Sequence, residues 1–317
     1  MTLTRRTALA GFAGLAGALA GCATGGHYHG SERPVTIAAG ERGGFYLAFA
    51  ELLAGEITRV EPRLRCRAVA TEASVVNIGR VEDGRADLGL TLADVAQAAV
   101  TGGDPFTRVH PLRAIGRVYE NYLQLVVRAD GPVRTVADLA GRRVSLGAGG
   151  SGAAVAGRRL LAEANLTARV RHLPLADAVA ALRTGRIEGL LWSGGVPTPA
   201  LAELARTVPI ALLPLDGVLP ALRARYGAVY QRVDVPGGAY AGVGPVATIG
   251  VANLLVCAPR LPADVAGAVT RVLVGRAANL VPAQAAGTQY LDVRSLIGTG
   301  PVPLHPGAAA AYRALHG

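Results

Sequence analysis

From residue 35 onward the hydrophobic positions alternate between two periods. Val35–Ala39, Arg65–Ala70 and Leu88–Leu92 are short aliphatic or β-branched runs and predict strands. Between them, Phe45 to Val60 carries Phe45, Leu47, Phe49, Leu52, Leu53 and Ile57 at helical spacing and is stopped by Pro62. Ser74–Glu82 and Asp94–Val100 predict shorter helices, and Leu112–Val127 contains a long extended stretch. After about residue 125 the alternation restarts. Strands are expected at Arg143–Leu146, Arg169–Leu173, Gly189–Trp192 and Ile210–Leu213. Helices are expected from Thr135–Leu139 and over Ser151–Ala164, Ala176–Thr184 and Pro199–Arg206. Repeated βα units imply mostly parallel sheets with helices on both faces. The restart implies two α/β lobes. Tyr122–Val127 and Asn253–Ala258 are long enough to cross between lobes, and the helical stretch Ala263–Leu280 would return to the first.

The amino terminus follows a different logic. Arg5 and Arg6 precede a charge-free run from Thr7 to Gly21, with small residues before Cys22. That is the layout of a secretory signal peptide over residues 1–21. The run Leu19-Ala20-Gly21-Cys22 resembles the lipobox of bacterial lipoproteins, which would make Cys22 a lipidation site. A plain signal peptide with an incidental cysteine is the alternative, and Arg5-Arg6 leaves twin-arginine export open. The run is too short for a comfortable transmembrane helix, which needs about 20 residues. Residues 22–33 read as a polar spacer; His27 and His29 within it fit a linker better than a metal site.

Composition adds three constraints. The remaining length suits two lobes of roughly 100–150 residues each. The formal charge is +10, and all 32 basic residues are Arg. The densest cluster, Arg59, Arg63, Arg65 and Arg67, has no interleaved aromatics, so a nucleic acid partner is not expected. A solvated face, or weak attraction to anionic lipid near the tether, explains it better. Cys66 and Cys257 sit in strand-like runs, and export would permit a bridge between them. No Cys/His spacing fits a metal, and no cofactor is implied.

Four predicted loops follow strands and open helices: Gly40–Gly44, Thr71–Asn77, Leu92–Asp94 and Gly147–Gly152. In open α/β sheets, ligands sit at the carboxyl ends of strands. Helix N-termini there offer unpaired N–H groups and partial positive charge, which suits an anionic or zwitterionic guest. The run Gly147-Ala148-Gly149-Gly150-Ser151-Gly152 lets backbone amides approach a ligand; a tight turn is the alternative. It lacks the Lys of a phosphate loop, and position 153 is Ala where a nucleophile elbow needs Gly. Ser74 and Asn77 lie one helical turn apart, so Ser74 can cap its helix while Asn77 points into a cleft, or both can serve the backbone. Asp94 reads as an N-cap. Neither it nor Asp87 has a nearby His for acid–base work. Trp192, next to Gly194 and Gly195, is either a cleft wall or a core residue.

At these residues the chain resembles the TAXI family of extracytoplasmic solute receptors, the binding subunits of certain TRAP transporters. The likeness rests on Gly43-Gly44-Phe45-Tyr46, Ser74-Val75-Val76-Asn77, Ala86-Asp87-Leu88 through Asp94-Val95, and GAGGSG at 147–152. It continues with GGVPTPAL at 194–201, Pro236–Tyr240 and His305–Ala308. The resemblance implies a two-lobed periplasmic binding protein of the type II kind, with a two-strand hinge. Lobe 1 would span 34–122 plus 258–317, and lobe 2 would span 123–257. It implies capture of a small carboxylate or glutamate-like amino acid and delivery to an ion-driven TRAP permease. Carried over by position, Gly44, Tyr46, Ser74, Asn77, Gly149, Gly150, Ser151 and Gly152 would line the site. Trp192, Gly194, Gly195 and Thr198 would face them. Where the family often has Gln-Ser before the aspartate of the third loop, this chain has Leu92-Ala93, which implies either a more apolar pocket or a different ligand. A lipoprotein that signals ligand to a membrane partner is the second reading. An exported enzyme using Ser151 is the third and weakest, since no base accompanies it.

Overall fold

The computed structural model describes residues 27–282, 291 and 293–316. The expected signal segment and Cys22 lie outside the described residues. The chain runs β1 (Arg33–Ala38), α1 (Phe45–Val60), β2 (Leu64–Val69), α2 (Ser74–Glu82), β3 (Leu88–Leu92) and α3 (Ala93–Thr101). Next come β4 (Arg113–Arg128), β5 (Arg143–Ser145), α4 (Gly152–Glu163), β6 (Arg169–Arg171), α5 (Leu175–Arg183), β7 (Gly189–Gly194), α6 (Pro199–Thr207) and β8 (Ile210–Leu213). It closes with α7 (Leu219–Tyr226), β9 (Tyr230–Val235), β10 (Val246–Cys257), α8 (Ala263–Gly275), α9 (Val293–Leu296) and α10 (Pro306–His316).

The sheet order is β2-β1-β3-β10-β4-β7-β5-β6, with β8 added to β4 and β9 to β10. At one end β1, β2 and β3 are parallel; at the other β5, β6 and β7 are parallel. The antiparallel pair β4 and β10 joins the two ends, with Asn253 opposite Tyr119 and Val251 opposite Asn121. This is the expected architecture: two α/β lobes joined by two long strands.

β4 is buried on both sides along most of its length, as a central strand should be. Glu120, Asn121 and Gln124 are buried polar residues clustered where the strand passes between lobes. Each lobe has its own core. In the first, Phe49, Leu53 and Ile57 of α1 meet Val269 and Leu273 of α8; in the second, Leu190 and Trp192 pack with Leu201 and Tyr240. A third cluster spans both, placing Ile78 and Leu92 in one group with Leu146, Val155 and Leu191. The lobes are therefore closed on one another.

Cys66 and Cys257 are free. They belong to β2 and β10, which are separated by β1 and β3 in the sheet. Three strand spacings are about 14 Å, far beyond what a disulfide spans. The arginine-rich segment lies on β2, at the edge of the sheet, where Arg65 and Arg67 are exposed.

Candidate binding site

The loops that follow β1, β2, β3, β5 and β7 converge on a small cavity between the lobes. Gly40, Glu41, Gly44, Phe45 and Tyr46 reach it from the start of α1, and Ala73 and Ser74 from the start of α2. Leu92 comes from the end of β3, Asn121 from β4, and Ser151, Gly152 and Ala153 from the start of α4. Trp192, Ser193 and Gly194 close the far wall from β7. Three helices thus begin at one space, and the first-turn N–H groups of a helix have no intrahelical acceptor.

Local chemistry explains how each wall is held. Ala73, before α2, has φ 75° and ψ −142°, a region that residues with a Cβ rarely occupy. Its N–H donates to Thr71 Oγ1 at 3.0 Å, and the Val75 N–H donates across the cleft to Gly150 O at 3.0 Å. Ser74 does not cap α2, contrary to one sequence expectation. Its hydroxyl instead accepts the Leu92 N–H at 3.1 Å, tying α2 to β3. Tyr46 is buried, with its hydroxyl bonded to Asn253 Oδ1 of β10. Burial pushes the Tyr46 phenol far above its ordinary value, so it remains a neutral wall.

Ser151 is the N-cap of α4. Its Oγ accepts the Ala154 N–H at 3.1 Å and donates to Ala148 O at 2.7 Å. With its proton committed to a carbonyl, and with no base bonded to it, Ser151 is a cap and not a nucleophile. On the opposite wall, the Trp192 indole N–H donates to Thr198 Oγ1 at 3.1 Å, and Thr198 donates to Gly195 O at 2.7 Å. Tyr240 supports this loop by accepting the Thr198 N–H at 2.9 Å, and its own hydroxyl is bonded to Gln124. Trp192 is therefore both cleft wall and core residue.

Of the residues expected to line a site, Gly44, Tyr46, Ser74, Ser151, Gly152, Trp192 and Gly194 meet at the cavity. Asn77 does not. It is fully buried, and its amide donates to Ala39 O at 2.5 Å and to Leu90 O at 2.7 Å, bracing β1 against β3. Gly149 is not among the lining residues, and Gly150 packs against Val76 across the lobes. Gly195 packs against the Phe45 ring, and with Thr198 it lines an adjoining groove. Asp94 is not an N-cap: that position is Leu92. Asp94 is a buried anion, paired with Arg159 Nη1 at 3.0 Å and accepting from the Tyr230 hydroxyl at 2.6 Å.

Sequence reasoning did not assign Glu41, Asn121 or Ser193 to the site. Glu41 lay inside a loop singled out for its glycines. Asn121 had a usable signal: with Glu120 and Gln124 it places polar side chains in the middle of a long extended run. Its Nδ2 donates to Ser193 Oγ at 3.2 Å, while its buried Oδ1 has no partner. Glu41 spans the lobes, accepting the Leu175 N–H at the start of α5 at 2.8 Å. Burial raises the Glu41 carboxyl above its ordinary value; the Leu175 N–H opposes this, and Glu72 and Asp177 reinforce it. No Arg, Lys or His lines the cavity among the described residues.

The class this architecture defines is the two-lobed periplasmic binding-protein fold. Among solved structures, MatC from Rhodopseudomonas palustris with bound malate matches at 14% identity and a TM-score of 0.52, covering 78% of this chain and 88% of that one. A protein described as a periplasmic transporter matches at 11% identity and a TM-score of 0.53, covering 89% and 92%. A protein from Bordetella bronchiseptica RB50 matches at 20% identity and a TM-score of 0.50, covering 89% and 88%. The sequence model of the NMT1-like family matches residues 37–314, and the chain belongs to that family.

Proposed function

We propose that this protein is an extracytoplasmic solute receptor. It captures a small organic anion or amino acid by closing two lobes, 34–122 plus 258–317 and 123–257, and delivers it to a membrane permease. The observation that carries the reading is the cavity between the lobes, walled by three helix N-termini and three aromatic rings. Ligand stabilises the closed arrangement to the extent that it binds that arrangement better than the open one. The bound malate of MatC supports a small acid as the kind of guest such a fold takes. On the motif resemblance, the permease is of the TRAP type and the subfamily is TAXI. Cys22 carries a lipid that holds the protein at the periplasmic face of a membrane. The same closure would serve a ligand-sensing lipoprotein; a permease partner is favoured by the motif resemblance.

The test is thermal unfolding of ligand-stripped protein against a panel of small carboxylates and amino acids. A ligand at a hundred times its Kd adds about 2.7 kcal/mol of stability, which is a shift of several degrees. The account expects at least one such shift. A flat panel contradicts it.

A further inference from the structure

Resting on the receptor reading, we infer that the cleft selects an α-amino acid with an apolar side chain over simple mono- and dicarboxylates. Glu41 and Asn121 hold the amine, and the N-termini of α2 and α4 hold the carboxylate.

Glu41 and Asn121 both line the cavity, and among the described residues no cationic side chain lines it with them. Asn121 is 2% exposed, and its Oδ1 lacks any hydrogen-bond partner. A buried acceptor left unpaired is costly, so a donor from the ligand is the natural complement. The orientation of Asn121 is held by its Nδ2 bond to Ser193. Glu41 spends Oε2 on the Leu175 N–H, which leaves its second oxygen with capacity for another donor. Glu72 and Asp177 add negative potential around Glu41. Glu72 also lies over the glycine loop, since a Cβ on Gly150 would be 3.6 Å from its Oε2.

The chain is basic overall, yet the residues lining the cavity include no basic side chain. A dicarboxylate would bring two negative charges to helix N-termini, which together offer fractional positive charge, beside an acid. An ammonium group removes that conflict. Phe45, Leu92 and Trp192 give the cavity an apolar wall against which the side chain would pack.

The experiment is titration calorimetry on the ligand-stripped chain with matched pairs differing by the amine. These are L-leucine and 4-methylpentanoate, L-phenylalanine and 3-phenylpropanoate, and L-aspartate and succinate. Losing a charge-assisted hydrogen bond weakens binding by roughly tenfold or more. The amine-bearing member of an apolar pair should bind tighter by that factor, and both should exceed succinate. Glu41→Gln, shown folded by an unchanged circular dichroism spectrum, should abolish the preference within each pair. If a deaminated acid or succinate binds as tightly as its amino partner, this inference falls and the receptor reading stands. If Glu41→Gln keeps the preference, Glu41 does not hold the amine and the inference also falls. If none of the six binds wild-type protein, this inference falls, and the wider panel of carboxylates and amino acids decides the receptor reading.

Discussion

Gly152 of α4 lies so close to Leu92 of β3 that a Cβ built on it would sit 2.5 Å from Leu92 Cδ1 and 2.8 Å from Ser74 Oγ. The two residues belong to different lobes, so the glycine sets how far the cleft closes. Two residues earlier, a Cβ built on Gly150 would sit 2.5 Å from Val76 Cγ2. The glycines that drew notice as a ligand loop are also the contact that lets the lobes meet.

Gly152→Val should hold the lobes apart. Small-angle scattering would show a larger radius of gyration that ligand does not reduce, with stability within about 1–3 kcal/mol of wild type, the usual cost of overpacking. A variant as compact as wild type would mean that Leu92 yields freely.

Asn77→Ala should destabilise without changing ligand preference. It strands two buried carbonyls, Ala39 O and Leu90 O, at about 1–3 kcal/mol each. Urea unfolding should report a loss of about 2 kcal/mol or more, while the relative affinities of ligands stay as in wild type.

Asp94→Ala should be among the most damaging single changes. Arg159 would keep its bond to Asp104 O and its stacking on Tyr226 at 4.4 Å but lose its buried counter-charge. Removing one partner of a buried pair costs about 3–5 kcal/mol. Arg159→Met in the same background should recover part of the loss, as a double-mutant cycle would measure. No recovery would place the effect elsewhere.

Affinity for an amine-bearing ligand should fall as pH is lowered. The Glu41 carboxyl is raised by burial, with Glu72 and Asp177 adding to the shift, so it begins to take up a proton above the ordinary carboxylate range near 4.5. The ammonium needs the ionised form, so binding is full above the raised value and is lost as pH falls through it. The ligand-free chain has the opposite dependence at this group: a raised carboxyl contributes stability at low pH and loses it as pH rises through its folded value. Glu41→Gln should flatten both profiles.

The fold was legible because most elements announce themselves by period. α1, α2, β3 and β8 fall where their apolar spacing put them. β10 begins seven residues earlier than the extended run from Asn253 implied, since Val246–Val251 pairs with β9, a strand whose polar outer face hid it. α7 gave no signal because its apolar residues do not gather on one face; α10 went unassigned in an alanine-rich tail. The site was half legible. Glycines and helix starts at strand ends mark a cleft, but not which polar side chain turns inward. Sequence alone leaves Asn77 and Thr198 open between ligand and backbone, because polarity at a cleft loop looks the same whether it serves a guest or the backbone. Glu41 and Asn121 escaped because their roles depend on the other lobe, which local spacing does not encode.

The most direct measurement is native mass spectrometry of the gently purified protein. The account predicts a fraction carrying a small molecule that is lost on unfolding and whose accurate mass includes nitrogen and a carboxylate. Protein that is empty as isolated, and that remains unstabilised by every carboxylate and amino acid offered afterwards, would contradict it.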